Sequence, residues 1–396
     1  MEVNIPEFRR ELAEEVKHLL AWWIKYSPDT IHGGFHGEIN NQNEANPHAP
    51  KGLVLNSRIL WAFSAAYAHD PQPEYLSLAE RAYACLRDNF YDTQAGGFYW
   101  SLQANGEILE SKKQVYGQAF AIYGLSAYYQ IQPDAAVLDL AINTYQLLEK
   151  HSRDTQLGGY LEAFNQHWEA LEDLRLSDKD MNAEKTMNTH LHVVEAYAEL
   201  YKIWPNADLK AAISHLLELF KTKFISTQGY QHLFFDKQWQ LQSQTISFGH
   251  DIESAWLLLA CAHAIADPKL IQQFEGIALS LAESATKGLS ESGNLYNEYH
   301  IATHSLNAEL HWWVQAEAMV GLYQAYQLSA NPAEFKKTYQ LWQNLNQHFF
   351  DQKYGEWIWG LDAEGNPLNE PKAGFWKCPY HHVRACLELL KRLPDA

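Results

Sequence analysis

GGFYWSL, residues 96–102, is one of six short stretches in which a glycine opens an aromatic or apolar run. The glycines that mark these runs are separated by 63, 62, 70, 64 and 62 residues; they are Gly34, Gly97, Gly159, Gly229, Gly293 and Gly355. A nearly fixed period with the same local signature indicates an architecture built from one supersecondary unit used many times. The sequence therefore predicts six repeats.

Hydrophobic periodicity predicts two helices for each repeat. Residues 52–69 are apolar or small almost throughout, whereas residues 74–90 have a charged face. Because a helix that is apolar all round is buried and one with a polar face lies outside, each repeat has an inner and an outer helix. The inner helices are predicted at 52–69, 115–130, 186–203, 250–265, 312–328 and 378–391. The outer helices are predicted at 7–26, 74–90, 136–151, 208–224, 268–287 and 333–350.

These twelve helices predict an all-α fold, an (α/α)6 barrel that forms a single catalytic domain over residues 1–396. The first outer helix stands alone at the N-terminal end of the sequence, and the last inner helix stands alone at the C-terminal end. These two helices are expected to pack together, which closes the ring. Short β ribbons with turns such as QANGEI (103–108) run into the inner helices and are expected at one rim. An open solenoid is the alternative, but a solenoid needs capping repeats and none is visible.

Composition narrows the class of partner and compartment. The net charge is −18 and no basic run is present, which argues against a nucleic-acid or anionic membrane partner. No window approaches a membrane span, and the N-terminal stretch lacks the features of a signal peptide. The four cysteines are too scattered for a disulfide scaffold or a cysteine zinc site. We therefore expect a cytoplasmic protein, monomeric or weakly dimeric.

The predicted inner helices begin with polar residues that an apolar core does not select. Spacings of three and four, as in His250/Glu253 and Asn188/His192, put both members on one helical face. Burying so many titratable groups without a use is costly, so they are predicted to face one central cavity. The set comprises Asn56, Arg58, Tyr116, Gln118, Asn188, His190, His192, His250, Asp251, Glu253, Trp313, Gln315, Glu317, Tyr380, His381, His382 and Arg384.

Several kinds of chemistry compete for these residues. Three histidines and a glutamate suit zinc, although the ligands would come from different helices and no HExxH motif is present. Glu253 and Glu317 are candidates for the acid and base of an inverting glycoside hydrolase, which leaves the histidines without a role. Proton transfer beside a carbonyl fits best, because histidines supply bases near neutrality and Arg58 a cation for the enolate oxygen. A non-catalytic sugar-binding toroid is the alternative outside the enzyme classes.

Four segments resemble signature segments of the cellobiose 2-epimerases, a branch of the N-acylglucosamine 2-epimerase superfamily. They are KTMNTHLHVVEAY (185–197), SFGHDIESAWLL (247–258), HWWVQAEAMVG (311–321) and FWKCPYHHVRACLE (375–388). NSRILWAF (56–63) and QVYGQAFAIYGL (114–125) extend the similarity. The resemblance implies an (α/α)6 barrel and an isomerase that interconverts glucose and mannose at the reducing end of β-1,4-linked disaccharides such as cellobiose and lactose, without a metal or cofactor.

The resemblance also implies roles for individual residues. His250 and His381 match the histidines that act on opposite faces of C2, through a cis-enediolate. His192 matches the position linked to ring opening, Glu253 supports this acid–base set, and Arg58 matches the arginine that holds the enediolate oxygens. The expected substrate-binding residues are Tyr116, Asn188, Trp313, Trp376, Asp180 and Glu317. Among them Trp376 matches the ring that stacks on the sugar and Asp180 the contact to the far sugar.

Two departures from the pattern concern the far sugar. Many relatives have an acidic and a basic residue ahead of HWW, where this chain has Asn307 and Leu310. His382 replaces an asparagine that is common after the second catalytic histidine. Both departures bear on substrate length more than on chemistry. A monosaccharide mannose/glucose 2-epimerase, or an aldose–ketose isomerase of the same superfamily, is therefore the alternative with a related mechanism.

Overall fold

A computed structural model describes residues 3–394 and contains twelve α-helices in that part of the chain. The inner helices are α2 (Leu53–His69), α4 (Val115–Ile131), α6 (Met187–Ile203), α8 (Phe248–Ala264), α10 (Trp312–Ser329) and α12 (Tyr380–Arg392). The outer helices are α1 (Ile5–Tyr26), α3 (Pro73–Cys85), α5 (Ala135–Leu147), α7 (Ala207–Leu219), α9 (Pro268–Thr286) and α11 (Pro332–His348). Three outer helices continue into a π-helical turn, at Leu86–Phe90, Leu148–Ser152 and Phe220–Phe224.

The inner helices form a closed ring. Each of them packs against the next along the chain, and α12 packs against α2. The outer helix α1 covers α12, where Arg9 donates hydrogen bonds to the carbonyl oxygens of Leu390 and Leu393. The (α/α)6 barrel is thereby confirmed, with the first outer helix and the last inner helix meeting as expected. Among the described helices, none is long and apolar enough to cross a membrane.

Short strands precede five of the inner helices: β1 (Lys51–Gly52), β4 (Lys113–Gln114), β6 (Lys185–Thr186), β8 (Thr245–Ser247) and β11 (Leu310–His311). Each pairs antiparallel with a strand of the following repeat: β2 (Ser101–Leu102), β5 (Ala163–Phe164), β7 (Phe234–Phe235), β9 (Glu298–His300) and β12 (Gly360–Leu361). A bridge between Ile39 and Ala373 joins the sixth repeat to the first. The remaining strands, β3 (Ile108–Glu110) and β10 (Ser305–Asn307), extend two of these pairs. The ribbons therefore form a second ring at the N-terminal ends of the inner helices.

Four buried ion pairs fasten this rim. Their aspartates lie just ahead of the repeat glycines and also accept hydrogen bonds from backbone N–H groups of the glycine loops. Repeats four and five have Ser226 and Ser290 in place of the aspartate. The pairs are Lys51–Asp29 at 2.7 Å, Lys113–Asp92 at 2.9 Å, Lys185–Asp154 at 2.9 Å and Lys372–Asp351 at 2.6 Å.

In most inner helices the side chain of the fourth residue hydrogen-bonds to the backbone of the loop at a repeat glycine. It does not face the central cavity. Gln118 accepts a hydrogen bond from the N–H of Phe98 and donates to its carbonyl oxygen, both at 2.8 Å. Gln315 does the same for Leu295, His190 accepts from the N–H of Tyr160, and Asp251 accepts from that of Gln231. The expectation that Gln118, His190, Asp251 and Gln315 face the cavity was therefore wrong. They pair backbone groups that burial would otherwise leave unsatisfied.

We expect Gly159→Ala to lower the free energy of unfolding more than Gly365→Ala. The two residues have φ values of 82° and 86°, so each substitution incurs a left-handed penalty of about 1–2 kcal/mol. A Cβ atom at Gly159 would lie 2.7 Å from Trp239 and 2.8 Å from His190, whereas nothing lies within 4 Å at Gly365. Overpacking adds about 1–3 kcal/mol at Gly159 alone. Urea unfolding of both variants measures the difference, and equal losses would contradict this packing role.

Candidate active site

A cavity of about 500 Å³ opens at the ribbon end of the barrel. All six inner helices contribute to its wall, together with the loop at residues 176–180. The sequence-predicted residues that line it are Arg58, Tyr116, Asp180, Asn188, His192, His250, Glu253, Trp313, Trp376 and His381. Glu317 does not line this cavity, because it lies behind His381 with 1% of its surface exposed. A direct contact between Glu317 and substrate is thus not supported.

One layer of side chains sets the depth of this cavity. In α2, α4, α6, α8 and α10 its member is the sixth residue of the helix. In α12 its member lies two residues after His382. The layer consists of Arg58, Phe120, His192, Glu253, Glu317 and Arg384, one from each inner helix, and all of them are buried. Charged groups thus converge where a purely structural barrel would place apolar side chains.

Three histidines in the cavity share one arrangement. Nδ1 of His192 lies 2.8 Å from Glu195 Oε2, Nδ1 of His381 lies 2.7 Å from Glu317 Oε1, and Nδ1 of His250 lies 2.8 Å from Ser247 Oγ. No hydrogen bond from any described residue reaches the three Nε2 atoms. A histidine whose Nδ1 is fixed in this way presents Nε2 to a ligand in a defined orientation.

Burial lowers the pKa of all three histidines. The pKa of His250 falls to about 3, mainly through desolvation and secondarily through the neighbouring His192. The pKa of His381 is held well below its usual range by desolvation and by the charges of Arg58 and Arg384. Desolvation also lowers the pKa of His192, against the opposing effect of Glu195. Lowered pKa values favour the neutral rings at physiological pH, and a neutral ring is able to accept a proton.

Arg384 organises the carboxylates below the histidines. Its Nη1 donates to Glu195, while its Nη2 donates to Glu253 at 2.8 Å and to Glu317 at 2.6 Å. Tyr380 also donates to Glu195, at 2.6 Å. Glu195 and Arg384 line a second cavity of about 830 Å³ between the other ends of the inner helices. This network is therefore the floor that separates the two cavities.

The carboxylates of this floor differ in their pKa. Burial and the nearby charge of Glu317 raise the pKa of Glu253 to about 8, against the opposing effect of Arg384. Burial raises the pKa of Glu195 as well, but Arg384 and the hydrogen bond from His192 outweigh that effect and lower its pKa to about 2. Arg384 therefore favours the anionic form of Glu195, whereas burial and Glu317 disfavour the anionic form of Glu253.

The metal-ligating atoms of Glu253, Glu317 and His381 lie within 4.8 Å of one another, the one group of three that qualifies among residues 3–394. Arg384 already donates to both carboxylates, and Nδ1 of His381 is paired with Glu317. A guanidinium thus occupies the position that a metal ion needs. The three histidines do not form such a group, so the donor set does not fit zinc.

Arg58 is a buried cation without a carboxylate partner in the described chain. Its Nη2 donates to the hydroxyl of Tyr116 at 2.8 Å and its Nη1 to the carbonyl oxygen of Trp376 at 3.4 Å, while Nε has no partner. The guanidinium lies over the rings of Phe120 and Tyr380, 4.1 Å and 4.7 Å from their centroids. A cation whose partners among residues 3–394 are neutral groups favours an anion that develops in the cavity.

Aromatic and amide groups complete the wall. The indole of Trp313 lies 4.9 Å from the ring of His250 and 5.7 Å from that of His381. The side-chain oxygen of Asn188 is buried without a partner, which leaves it available to a ligand hydroxyl. Asp180 accepts hydrogen bonds from Ser177 in the loop above the cavity. These groups surround the histidines with surfaces that suit a sugar.

The two departures from the family pattern, at His382 and at Asn307 and Leu310, lie in different surroundings in the structure. His382 lies outside the cavity, where its Nε2 is 3.0 Å from Glu356 and its ring packs on Trp357. The expectation that His382 affects the far sugar is therefore not supported. Near Asn307 and Leu310, His311 lines the cavity and pairs with Glu309 at 2.9 Å. This stretch of the rim therefore still has a hydrogen-bonded pair of titratable side chains.

Sequence reasoning missed several residues of the site. Trp312, Trp359 and His311 line the cavity, and Glu195 and Ser247 hold two of the histidines. Glu195 lies three residues after His192, and Ser247 lies three residues before His250. That spacing is the one signal that could have identified the two partners, since residues three apart share a helical face.

Comparisons with known proteins agree with this geometry. The family model for N-acylglucosamine 2-epimerase (GlcNAc 2-epimerase) matches residues 33–385. A cellobiose 2-epimerase from Bacteroides fragilis is 41% identical over 98% of this chain and 99% of its own length. One from Dictyoglomus turgidum is 36% identical, over 99% and 100%. The structure of cellobiose 2-epimerase from Bacillus thermoamylovorans superimposes with a TM-score of 0.93 at 35% identity, over 98% and 100% of the two chains.

Proposed function

The chain belongs to the N-acylglucosamine 2-epimerase family, and we propose that it interconverts glucose and mannose at the reducing end of a β-1,4-linked disaccharide such as cellobiose or lactose. Full-length similarity to cellobiose 2-epimerases supports this reaction and makes the chain a carbohydrate isomerase. The observation that carries the proposal is the cavity itself. Three imidazoles with fixed Nδ1 atoms share it with a cation, Arg58, and neither their Nε2 atoms nor this cation has a carboxylate partner among residues 3–394.

In the proposed reaction His192 assists the opening of the sugar ring. One of His250 and His381 then takes the C2 proton onto its Nε2, and the electron pair of the C–H bond becomes part of a cis-enediolate. Arg58 stabilises the negative charge on the enediolate oxygens. After rotation about C2–C3, the other histidine, protonated beforehand, delivers a proton from Nε2 to the opposite face of C2. The Trp313 indole contacts both rings, which supports a wall of the substrate site that the two bases share.

The arrangement of the Glu253 and Glu317 carboxylates supports a role in positioning other side chains more than a role in hydrolysis. A glycosidase needs two carboxyl groups on either side of the scissile bond, about 5–9.5 Å apart. Glu253 and Glu317 instead share the Nη2 atom of Arg384, and Glu317 lies beneath the wall of the cavity. Carboxylate oxygens of the two residues lie within 4.8 Å of each other and both accept from one guanidinium, which argues against the hydrolase alternative.

Incubation with cellobiose, followed by chromatographic separation of the sugars, tests this function. We expect one product, the disaccharide with mannose at its reducing end. Release of free glucose would favour hydrolysis, and a ketose as the main product would favour aldose–ketose isomerisation. Stabilisation of the protein by cellobiose without any product would favour a sugar-binding role.

The length of the substrate is the finer part of the proposal. Trp376 is half-buried at the mouth of the cavity, with its ring centroid 6.0 Å from that of Trp100 and 6.1 Å from that of Tyr116. Asp180 lies in the loop above it. A ring over one sugar face and a carboxylate beside its hydroxyls suit a second sugar above the reacting one.

We therefore expect Trp376→Ala to reduce the preference for cellobiose over free glucose, measured as kcat/KM, by about two- to tenfold. The loss is expected mainly in KM, because stacking on the far sugar leaves the chemical step unchanged. Trp204→Ala is the matched control, since Trp204 is half-buried against Tyr145 outside the cavity. An unchanged preference in Trp376→Ala, or a wild-type preference for mannose, would contradict the disaccharide assignment.

A further inference from the structure

Ser247 is the N-cap residue of α8, but its side chain does not cap the helix. Its hydroxyl instead lies 2.8 Å from Nδ1 of His250, the one partner that it has among the described residues. The N-cap residue of α6, Thr186, shows the usual arrangement, in which the hydroxyl accepts from the N–H of Thr189. A serine cap stabilises a helix by about 1 kcal/mol. In α8 that stabilisation is given up for a contact with a histidine.

The hydroxyl of Ser247 differs chemically from the partners of the other two histidines. His192 and His381 donate from Nδ1 to carboxylates, which accept only and stabilise a protonated ring by their charge. A hydroxyl donates or accepts by rotation of its hydrogen. Ser247 therefore stays paired with Nδ1 in each protonation state of His250, and Nε2 stays directed into the cavity. It adds no negative charge to support the cation.

We propose that Ser247 is a positioning residue for His250 and makes the two bases that act at C2 unequal. This inference rests on the proposed epimerisation. His250 is held by a hydroxyl and His381 by Glu317, so the two rings do not exchange protons with C2 at the same rate. The enediolate is consequently protonated more often from one face of C2 than from the other.

The consequence is measurable in the wild-type protein. In D2O an enediolate formed from either epimer is protonated from one face to return substrate or from the other to give product. Unequal bases give a ratio different from one between deuterium at C2 of recovered substrate and deuterium at C2 of product. The ratio exceeds one when the reaction starts from one epimer and falls below one when it starts from the other.

Ser247→Ala is expected to lower kcat by about five- to tenfold, with little change in KM. It should also change both deuterium ratios, whereas Ser247→Thr, which keeps the hydroxyl, restores the wild-type values. Thr245→Ala is the matched control, because it removes a hydroxyl of the same strand that contacts His300 outside the cavity. A lower kcat with unchanged ratios would reduce Ser247 to a structural residue and overturn the proposal.

Two further outcomes are decisive. Wild-type ratios close to one from both epimers would overturn the asymmetry, and they remain measurable even if Ser247→Ala does not fold. A wild-type protein that forms neither epimer nor C2-deuterated sugar from cellobiose would instead refute the proposed function, which the inference requires. The two failures are therefore distinguishable in one set of experiments.

Discussion

His381→Ala is expected to lower kcat by about 10²–10⁴-fold, the range that a general acid–base group contributes. The imidazole lines the cavity with Nδ1 fixed by Glu317, so its removal deletes one of the two proposed bases and leaves a small void. Folding is expected to persist, because Glu317 keeps its hydrogen bonds from Trp256 and Arg384. Steady-state kinetics with cellobiose and a thermal unfolding curve measure the two quantities.

His18→Ala serves as the control for the loss of an imidazole, since the side chain of His18 on α1 is 78% exposed. It should retain wild-type kinetics. If His381→Ala folds normally and keeps more than a tenth of the wild-type kcat, His381 is not a base in this reaction. If the loss of activity follows unfolding alone, the residue is structural.

Arg58→Met is expected to lower kcat by about 10²–10³-fold, as for the loss of one preorganised donor to an oxyanion. Because Arg58 has no carboxylate partner in the described chain, its removal leaves no buried anion uncompensated. The folded state should survive. Arg58→Lys keeps the charge but not the planar pair of donors, so only partial recovery is expected.

Arg384→Met provides the contrast to Arg58→Met. It leaves Glu195, Glu253 and Glu317 without their shared cation, and breaking a buried pair costs about 3–5 kcal/mol. We expect this variant to unfold at lower urea concentration. Urea denaturation and kcat together separate the two arginines. Equal destabilisation by both substitutions would contradict the assignment of Arg58 to catalysis.

The fold was largely predictable from sequence because the repeat is local. The glycine period and the two helical patterns within it placed all twelve helices to within a few residues. The largest shifts of an inner-helix start are two residues: α8 begins at Phe248 and not at 250, and α12 begins at Tyr380 and not at 378. Gly249 is a residue type typical of loops, yet it lies in the helix. A Cβ atom there would come within 2.6 Å of Trp313, so the contact with the neighbouring helix explains the glycine. That contact between neighbouring helices is not visible in the local sequence.

The ribbons were predictable in position but not in pairing. Each strand before an inner helix pairs with the next repeat, and this register depends on closure of the ring. The buried pair between Lys113 and Asp92 likewise depends on how the strand crosses the glycine loop. Long-range hydrogen bonds of this kind leave no periodic signal in sequence.

For the site as well, local sequence predicted some features, while others depend on long-range contacts. Residues that match the family motifs, such as His250 and Arg58, do line the cavity. Position along a helix did not distinguish them from His190, which holds a backbone loop two residues before His192. The two histidines are two residues apart, so their side chains leave the helix about 200° apart and face different neighbours. Glu317 has the same position in its helix as His192 and Glu253, but it lies behind the ring of His381 and not at the cavity surface.

The central claim is that bases of the protein remove and return the C2 proton. It is tested by incubation with cellobiose in D2O, followed by NMR analysis of deuterium at C2 in the recovered and the epimerised sugar. Proton transfer by His250 and His381 predicts deuterium at C2 of the epimerised disaccharide from its first appearance, and no epimerised disaccharide in His381→Ala at comparable times. Epimerised product that retains protium at C2 would contradict proton transfer and require a hydride shift or oxidation elsewhere on the sugar.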